Sequence, residues 1–338
     1  MTAPVRLASC AMTRTRSPSG LSMRADPAVG VSIVTFHSDP VRLARTISGV
    51  LDQTAEVEAI RVHANGATAK ECTAIEDLLP PSVALVTSAT NVGFSAAHNA
   101  TLEAQFTAGV THALVLNPDV VLDSNALRLL LDHARDHPGS LVGPLLELAD
   151  PQTLEGEGRI DTAGIIWTRT GRHLDDRQGK PIASAPREPR RVAGISGACI
   201  LVDRQAWERL VAVCGEFFDE DFIAYREDAE IGVRAGLVGV ESWLVPAATG
   251  RHVRGLRGTR RGASDDLDAL GVRNRFLLRF KLGPHRPGNR VLAGVRDVVV
   301  AGATITVERS SLPALRDAFR LRGRMRAKRR AFERYLDR

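Results

Sequence analysis

Short apolar runs alternate with helical patterns through the first part of the chain, and this alternation restricts the fold more than any other feature. Runs at 31–36, 57–63, 83–87 and 113–117 read as strands. The stretches at 41–53, 68–79, 95–108 and 124–136 read as helices; in the first, Leu43, Ile47, Val50 and Leu51 recur at helical spacing. Strands joined by helices of this length pair in parallel, and a parallel sheet is covered on both faces. The expected class is α/β, a doubly wound mixed, mainly parallel sheet. Such sheets take ligands at the carboxyl ends of their strands.

Beyond residue 145 the pattern loosens. Residues 146–191 are polar and rich in Gly, Pro and Arg, and read as an excursion holding a hairpin near 164–168. A sheet-like run resumes at 197–202, followed by a helix over 204–213, an acidic stretch over 217–230 and a largely helical region over 267–338. Three regions follow: a disordered extension at 1–27, rich in Ser, Thr, Arg and Pro, with a transit peptide as the lesser alternative; a folded α/β domain at 28–265; and a helical, basic C-terminal region at 266–338.

Charge separates the ends from the middle. The net charge is +6, yet residues 316–338 alone hold ten Lys/Arg against three Asp/Glu, and residues 1–24 hold four Arg and no acid. The middle is therefore net acidic. With aromatics at only 4% and the positive charge at the ends, nucleic acid is not an expected partner. Cys10, Cys72, Cys199 and Cys214 are far apart and form no C-x-x-C pair, which suits a reducing compartment. The longest apolar run, 298–307, is ten residues and falls short of the roughly 18 of a membrane span. The expected location is cytoplasmic, with peripheral contact at the inner face of the cell membrane through the basic C-terminal helix. That helix carries Leu315, Ala318, Phe319, Leu321, Met325, Phe332, Tyr335 and Leu336 at partly helical spacing; packing on the domain is the alternative.

Unusual residues gather at the strand ends. There is no G-x-G-x-x-G after the first strand and no Walker lysine motif. Instead Asn117-Pro118-Asp119 closes a buried strand, where a carboxylate can hold Mg2+ or Mn2+ against a diphosphate; a turn with Asp as helix cap reads equally well. Five carboxylates in 218–228 are interleaved with Phe218, Phe222, Ile223 and Tyr225, a setting that raises a carboxylate toward a useful general base. The simpler account is acids favouring the first turn of a helix. His252 sits in a loop with Arg251, Arg254, Arg257, Arg260 and Arg261, which either clamps phosphate or is a solvated basic loop.

In order along the chain, Asn91-Val92-Gly93-Phe94-Ser95-Ala96-Ala97-His98-Asn99, Leu116-Asn117-Pro118-Asp119, Gly197-Ala198-Cys199-Ile200-Leu201-Val202, Phe218-Asp219-Glu220 with Glu227-Asp228, and His252 resemble the motifs of family 2 glycosyltransferases, especially bacterial rhamnosyltransferases. The likeness covers about residues 29–280. It implies the GT-A fold for 28–265, a nucleotide-sugar donor and inversion at the anomeric carbon. By the same resemblance Asp228 is the catalytic base with Glu227 beside it, and Asp119 and His252 hold a divalent cation. Phe36, His37, Asn65, Asn91, Gly93, Asn99, Asn117, Gly197 and Ala198 line the donor. Three features depart from the family: Ala64-Asn65 stands where Asp-Asn is usual, Phe36-His37 where Tyr-Asn is commoner, and the serine often found shortly after the histidine's glycine is not evident.

The expected function is metal-assisted transfer of a sugar, L-rhamnose by branch resemblance, from dTDP-rhamnose or a similar donor to a hydroxyl of a saccharide or lipid-linked acceptor, in cell-envelope polysaccharide synthesis. The rivals are a catalytically impaired sugar-nucleotide-binding protein of the same fold, suggested by Ala64 and His37, and a nucleotidyltransferase, disfavoured by the missing Gly-rich loop near the first strand.

Overall fold

The computed structural model describes residues 27–254, 263–306 and 309–337. Nearly all of the expected N-terminal extension, and Arg257, Arg260 and Arg261 of the basic loop, lie outside the described residues.

The alternation seen in the sequence becomes the parallel half of a sheet. Strands β1 (Val29–Thr35), β2 (Ala59–Asn65), β3 (Val83–Ser88) and β4 (His112–Leu116) are joined by helices α1 (Pro40–Leu51), α2 (Ala69–Glu76) and α3 (Phe94–Thr107). β1 is paired in parallel with β2 on one side and β4 on the other, and β3 lies outside β2. Local chemistry sets the helix starts. The Asp39 carboxylate accepts from the Val41 amide at 2.8 Å with Pro40 in the first turn, and Thr68 and Glu71 form a reciprocal capping box.

The second half is mixed. It comprises the short β5 (Val120–Leu122), α4 (Ala126–Asp136), β6 (Leu141–Ala149), β7 (Gly156–Thr162), the hairpin of β8 (Ile165–Trp167) and β9 (His173–Asp175), β10 (Arg190–Arg191), β11 (Cys199–Asp203), α5 (Arg204–Cys214), α6 (Glu227–Leu237) and β12 (Ser242–His252). Across the main sheet the order is β3-β2-β1-β4-β11-β6-β12-β10. β11 runs antiparallel between β4 and β6, while β12 is parallel to β6. The 146–191 excursion thus contributes strands β7 to β10, including the expected hairpin.

Alternating side chains serve the two faces. Leu114 and Leu116 of β4 and Leu201 of β11 join Leu43, Ile47 and Val50 of α1 and Leu127, Leu130 and Leu131 of α4. Ala113, Val115, Ile200 and Val202 point the other way, to Leu102 and Phe106 of α3, Leu210 of α5 and Ile231 of α6.

Three helices follow: α7 (Ala263–Leu282), α8 (Arg290–Thr306) and α9 (Leu312–Leu336). A third apolar cluster joins them to the domain, packing Phe222, Ala229 and Val233 against Phe276, Leu277, Leu278, Leu315, Ala318 and Met325. Leu315, Ala318, Met325 and Phe332 of α9 are buried, so the stripe offered in sequence to a membrane is largely spent on packing, with Phe319 and Leu336 left outward. Beside this cluster lies a buried ionic network. Lys281 of α7 donates to Asp219 at 2.6 Å and lies 2.8 Å from Glu230. Lys328 of α9 reaches Asp219 at 2.5 Å, Glu216 at 2.6 Å and Asp221 at 2.7 Å, and Arg234 pairs with Glu230 at 3.0 Å.

Removing one member of such a network strands buried carboxylates. Lys281→Met is expected to lower unfolding stability by about 3–5 kcal/mol, the range for breaking a buried pair from one side. Urea denaturation reads this directly. A loss under about 1 kcal/mol would place the contact in the class of surface pairs.

Candidate active site

Two backbone registers bring the distant motifs together. The last residues of β12 pair with β5, setting His252 opposite Val120 and hence beside Asp119. The Val253 amide also donates to the Asp119 carbonyl at 3.0 Å. On the other side of the same turn, the Asn117 amide donates to the Ala198 carbonyl at 2.9 Å, which ties the end of β4 to the 197–198 loop. The Gly197 amide in turn donates to Asp228 Oδ2 at 3.2 Å. Asn117, Asp119, Gly197, Ala198, Asp228 and His252 therefore form one continuous site.

His252 is buried between two carboxylates. Its Nδ1 is 2.7 Å from Asp161 Oδ2, and its Nε2 is 3.4 Å from Asp119 Oδ1. Burial opposes the imidazolium, but the carboxylates of Asp119 and Asp161 outweigh it and raise His252 to about 10. Asp161 is also bonded by Arg254, which spans to Asp175. Arg254, read from sequence as a phosphate clamp, is thus committed to two carboxylates. Arg251 likewise faces Glu155 at 3.5 Å and Asp123 at 3.9 Å.

Asp119 Oδ1 is buried without a hydrogen-bond donor, while Asp161 holds the far side of the His252 ring and turns its Nε2 toward Asp119. A carboxylate behind a ligating histidine is the usual way such a ring is oriented. Among the described residues no cluster of three or more His, Cys, Asp or Glu is arranged to hold a metal. Asp119 and His252 would fit a Mg2+ or Mn2+ ion, with water and a diphosphate supplying the remaining ligands. To ligate such an ion through Nε2, His252 would have to give up its proton.

Helix α6 aims the acids. Tyr225 and Arg226 take left-handed backbone angles (φ 68° and 73°), so the chain turns sharply into Glu227 and Asp228 in the first turn. Asn274 of α7 holds that turn: its amide nitrogen donates to the carbonyls of Phe222, Ala224 and Tyr225 at 2.8, 2.7 and 2.8 Å. Close contact between backbones fixes the helix against the 193–197 loop. A Cβ on Gly232 would lie 2.6 Å from the Ala193 carbonyl oxygen and 2.8 Å from the Gly194 Cα. Burial and the neighbouring Asp175 raise the half-buried Asp228 to about 6, against the Gly197 and Ala229 amides that pull it down. Glu227 is raised further, to about 8, by burial and then by the Asp228 charge; its Oε2 has no hydrogen-bond partner.

The residues assigned by resemblance to the donor divide into two kinds. Asn65 accepts from the Val92 amide at 2.8 Å and donates to Asn91 Oδ1 at 2.8 Å, and Asn91 accepts from the Gly93 amide at 2.9 Å. Asn99 accepts from the Phe218 amide at 2.9 Å and donates to its carbonyl at 2.8 Å. These amides shape the loops that border the cleft. Gly93 (φ 91°) lets the loop pass Ile223, whose carbonyl oxygen would sit 2.9 Å from an added Cβ. Phe36 is half-exposed, and His37 turns away to Glu71 at 2.6 Å on α2. Asp161, Asp175 and Asn274 went unassigned in the sequence; their spacing carries no motif, and only the packing of β7, the β8–β9 hairpin and α7 brings them in.

Residues 27–270 match the family described as glycosyltransferase like family 2. N-acetylglucosaminyl-diphospho-decaprenol L-rhamnosyltransferases of Mycobacterium tuberculosis, from strains CDC 1551 / Oshkosh and ATCC 25618 / H37Rv, are each 31% identical over 191 residues. That match covers 51% of this chain and 59% of the relatives' length. GalNAc-T7, solved with UDP, GalNAc and Mn2+, superimposes with a TM-score of 0.57 at 15% identity, over 84% of this chain and 57% of that one. The mannosyltransferase PcManGT from Pyrobaculum calidifontis, in complex with GDP-Man and Mn2+, does so with a TM-score of 0.51 at 13% identity, over 87% and 74%. These two likenesses are of fold, the GT-A arrangement. With most of its length inside the family match, and with the family's ordered motifs drawn into one cleft, this chain belongs to the family 2 glycosyltransferases.

Proposed function

We propose that the protein is an inverting glycosyltransferase that moves L-rhamnose from dTDP-rhamnose or a similar nucleotide sugar to a hydroxyl of a lipid-linked or other saccharide acceptor, in building a cell-envelope polysaccharide. One observation carries the reading: Asp228, held at a helix start by the Gly197 amide at 3.2 Å, is a half-buried carboxylate raised to about 6 in the same cleft as Asp119. The similarity to the mycobacterial rhamnosyltransferases supports the choice of sugar and of a lipid diphosphate acceptor.

Each group then has a task. Asp119 and His252 hold the divalent cation, which when bound neutralises the donor diphosphate and makes it a better leaving group. The 197–198 loop lies under the sugar, and Phe36 offers a ring face to the nucleobase. Asp228 accepts the proton of the acceptor hydroxyl as that oxygen attacks the anomeric carbon from the face opposite the diphosphate. Glu227, raised to about 8, keeps its proton near neutral pH, so the adjacent pair carries one negative charge and leaves it on Asp228.

Asp228→Asn keeps the shape and removes the basic oxygen; turnover is expected to fall about 10²–10⁴-fold. Donor affinity, read by calorimetry, should hardly move. Because only the ionised carboxylate accepts a proton, the parent's kcat/KM should rise with pH through about 6 and level off above it. An acid limb that survives in Asp228→Asn, or turnover within a few-fold of the parent, removes Asp228 from this role. A purified protein that binds nucleotide sugar yet transfers none would favour the binding-protein alternative.

The cation is tested separately. In Asp119→Ala, His252 and the neutral Asn117 remain, and neither supplies a compensating negative charge. Titration with Mn2+ should show that donor binding no longer depends on the ion. Parent-like affinity for Mn2+ and donor together would reduce Asn117-Pro118-Asp119 to a turn.

A further inference from the structure

Helix α8 is amphipathic the wrong way round. Val291, Leu292, Val295, Val298, Val299 and Ile305 are exposed by 74, 41, 59, 73, 62 and 53%. Their spacings of three, four and seven put them on one side of the helix, with Gly302 and Thr306 between them and no charged residue in the arc. The buried side holds Ala293, Asp297 and Thr304. A charged pin fixes that orientation. Asp297 accepts from Arg275 Nε at 2.9 Å and Arg286 Nη1 at 3.2 Å, and also from Arg279. Turning the apolar arc inward would pull Asp297 off three arginines. An exposed apolar surface of this continuity marks a contact site, whereas scattered single residues would not.

Charge beside the arc indicates what covers it. At the N-terminal turn of α8 lies a cavity of about 330 Å³ lined by Arg279, Arg286, Arg290, Arg326 and Arg329, with no carboxylate in its lining. Arg286 Nη2 is buried there without a hydrogen-bond acceptor, and Arg329 Nε has only Glu333 at 3.6 Å. Arg316, Arg320, Arg322, Arg330 and Arg334 of α9 are exposed as well. A second copy of the chain would bring the same positive charge to the contact. An apolar arc on a helix whose N-terminal turn carries an arginine-lined cavity instead complements a surface that is apolar within and anionic at its rim.

We propose that the outward face of α8 lies in the interfacial layer of an anionic membrane, with lipid phosphates held by the arginine cavity. The helix is about 25 Å long at 1.5 Å per residue and would lie flat. No described helix is long and apolar enough to cross a membrane. This assignment moves the apolar contact from α9, whose stripe packs inward, to α8, and leaves α9 as a source of charge. The Asn289 amide before α8 donates to the Arg169 carbonyl at 2.8 Å, which ties the start of this helix to the β8–β9 hairpin. The inference rests on the exposed face and the cavity, independent of the reaction proposed above.

Co-sedimentation of the full-length protein with vesicles tests it, using phosphatidylcholine alone and phosphatidylcholine mixed with phosphatidylglycerol. The parent should bind the mixed vesicles, less at high salt, and leave the neutral ones. The double variant Val295→Asp/Val298→Asp should lose at least about tenfold in affinity, since two exposed valines no longer enter the apolar layer. Arg290→Ala/Arg326→Ala should weaken binding and flatten its salt dependence. All four side chains are exposed, so unchanged thermal unfolding and unchanged nucleotide-sugar binding would show the variants folded. Absence of parent binding to either vesicle overturns the proposal. So does parent-like binding by Val295→Asp/Val298→Asp, which would leave α9 charge as the sole attraction. A parent dimer that this double variant dissociates, seen by sedimentation equilibrium, would assign the face to self-association instead.

Discussion

The contact on which the rest of the structure depends is the buried meeting of Asp219 and Glu230 with Lys281, Lys328 and Arg234. Burial alone would push the Asp219 carboxyl up; the two lysines outweigh it and hold the carboxyl far below its usual range. Lys281 in turn is raised by Glu230 and Asp219 despite its own burial. A half-satisfied version of this cluster would be worse than an apolar one, so its members must arrive together. They arrive from four places: the acidic stretch before α6, α6 itself, the end of α7 and the middle of α9. The C-terminal helices are therefore the counterions that let an acid-rich segment be buried behind the cleft.

That anchoring gives the site its geometry. Asn274 and Arg226 fasten the 222–226 turn to α7, the latter through its Nε to the Gly271 carbonyl at 3.0 Å. Gly232 and Gly194 then let α6 lie against the 193–197 loop at backbone contact distance. With the helix held from behind and pressed from the front, the first-turn carboxylate of Asp228 sits between the Gly197 amide at 3.2 Å and the Ala229 amide at 2.7 Å. A loop packed on one side only would leave that carboxylate free to rotate into solvent. Rigid support of this kind is what keeps a proton acceptor within reach of its substrate.

Much of this was legible before any coordinates. The alternation of runs and helical patterns yields four parallel strands within a residue or two, and the ordered motifs meet in one cleft, because strand ends in a doubly wound sheet converge. Partnership was less legible. Asn65 and Asn99 read as donor-binding by resemblance, yet their amides are engaged with the Asn91–Val92 loop and the Phe218 backbone. Asp161 reaches His252 across 91 residues, through a β6–β7 pairing whose register shifts twice, and no local pattern encodes that. In α8 and α9, periodicity reveals an apolar face but not what the face meets. The stripe of α9 goes inward, and that of α8 outward, because one buried aspartate outbids the valines for the interior.

Over the dozen positions from 219 to 230 the chain treats its acids in two opposite ways. Asp219 and Glu230 are given cations, which keep them ionised and turn their burial into cohesion. Among the described residues Glu227 and Asp228 form no ion pair: burial raises both, helped at Glu227 by the Asp228 charge and at Asp228 by Asp175, so Glu227 keeps its proton and Asp228 becomes the better proton acceptor. The nearest candidate to neutralise them is Arg226, and the left-handed turn carries it away: its guanidinium engages the Gly271 carbonyl and lies 3.4 Å from His173 Nδ1. Arg254 could serve instead but is bound to Asp161 and Asp175. An ion pair at Asp228 would add cohesion and would lower the carboxylate's affinity for the proton it has to accept. The left-handed residues at 225 and 226, which carry an intrinsic strain of about 1–3 kcal/mol each, keep these two uses of the same side chain apart.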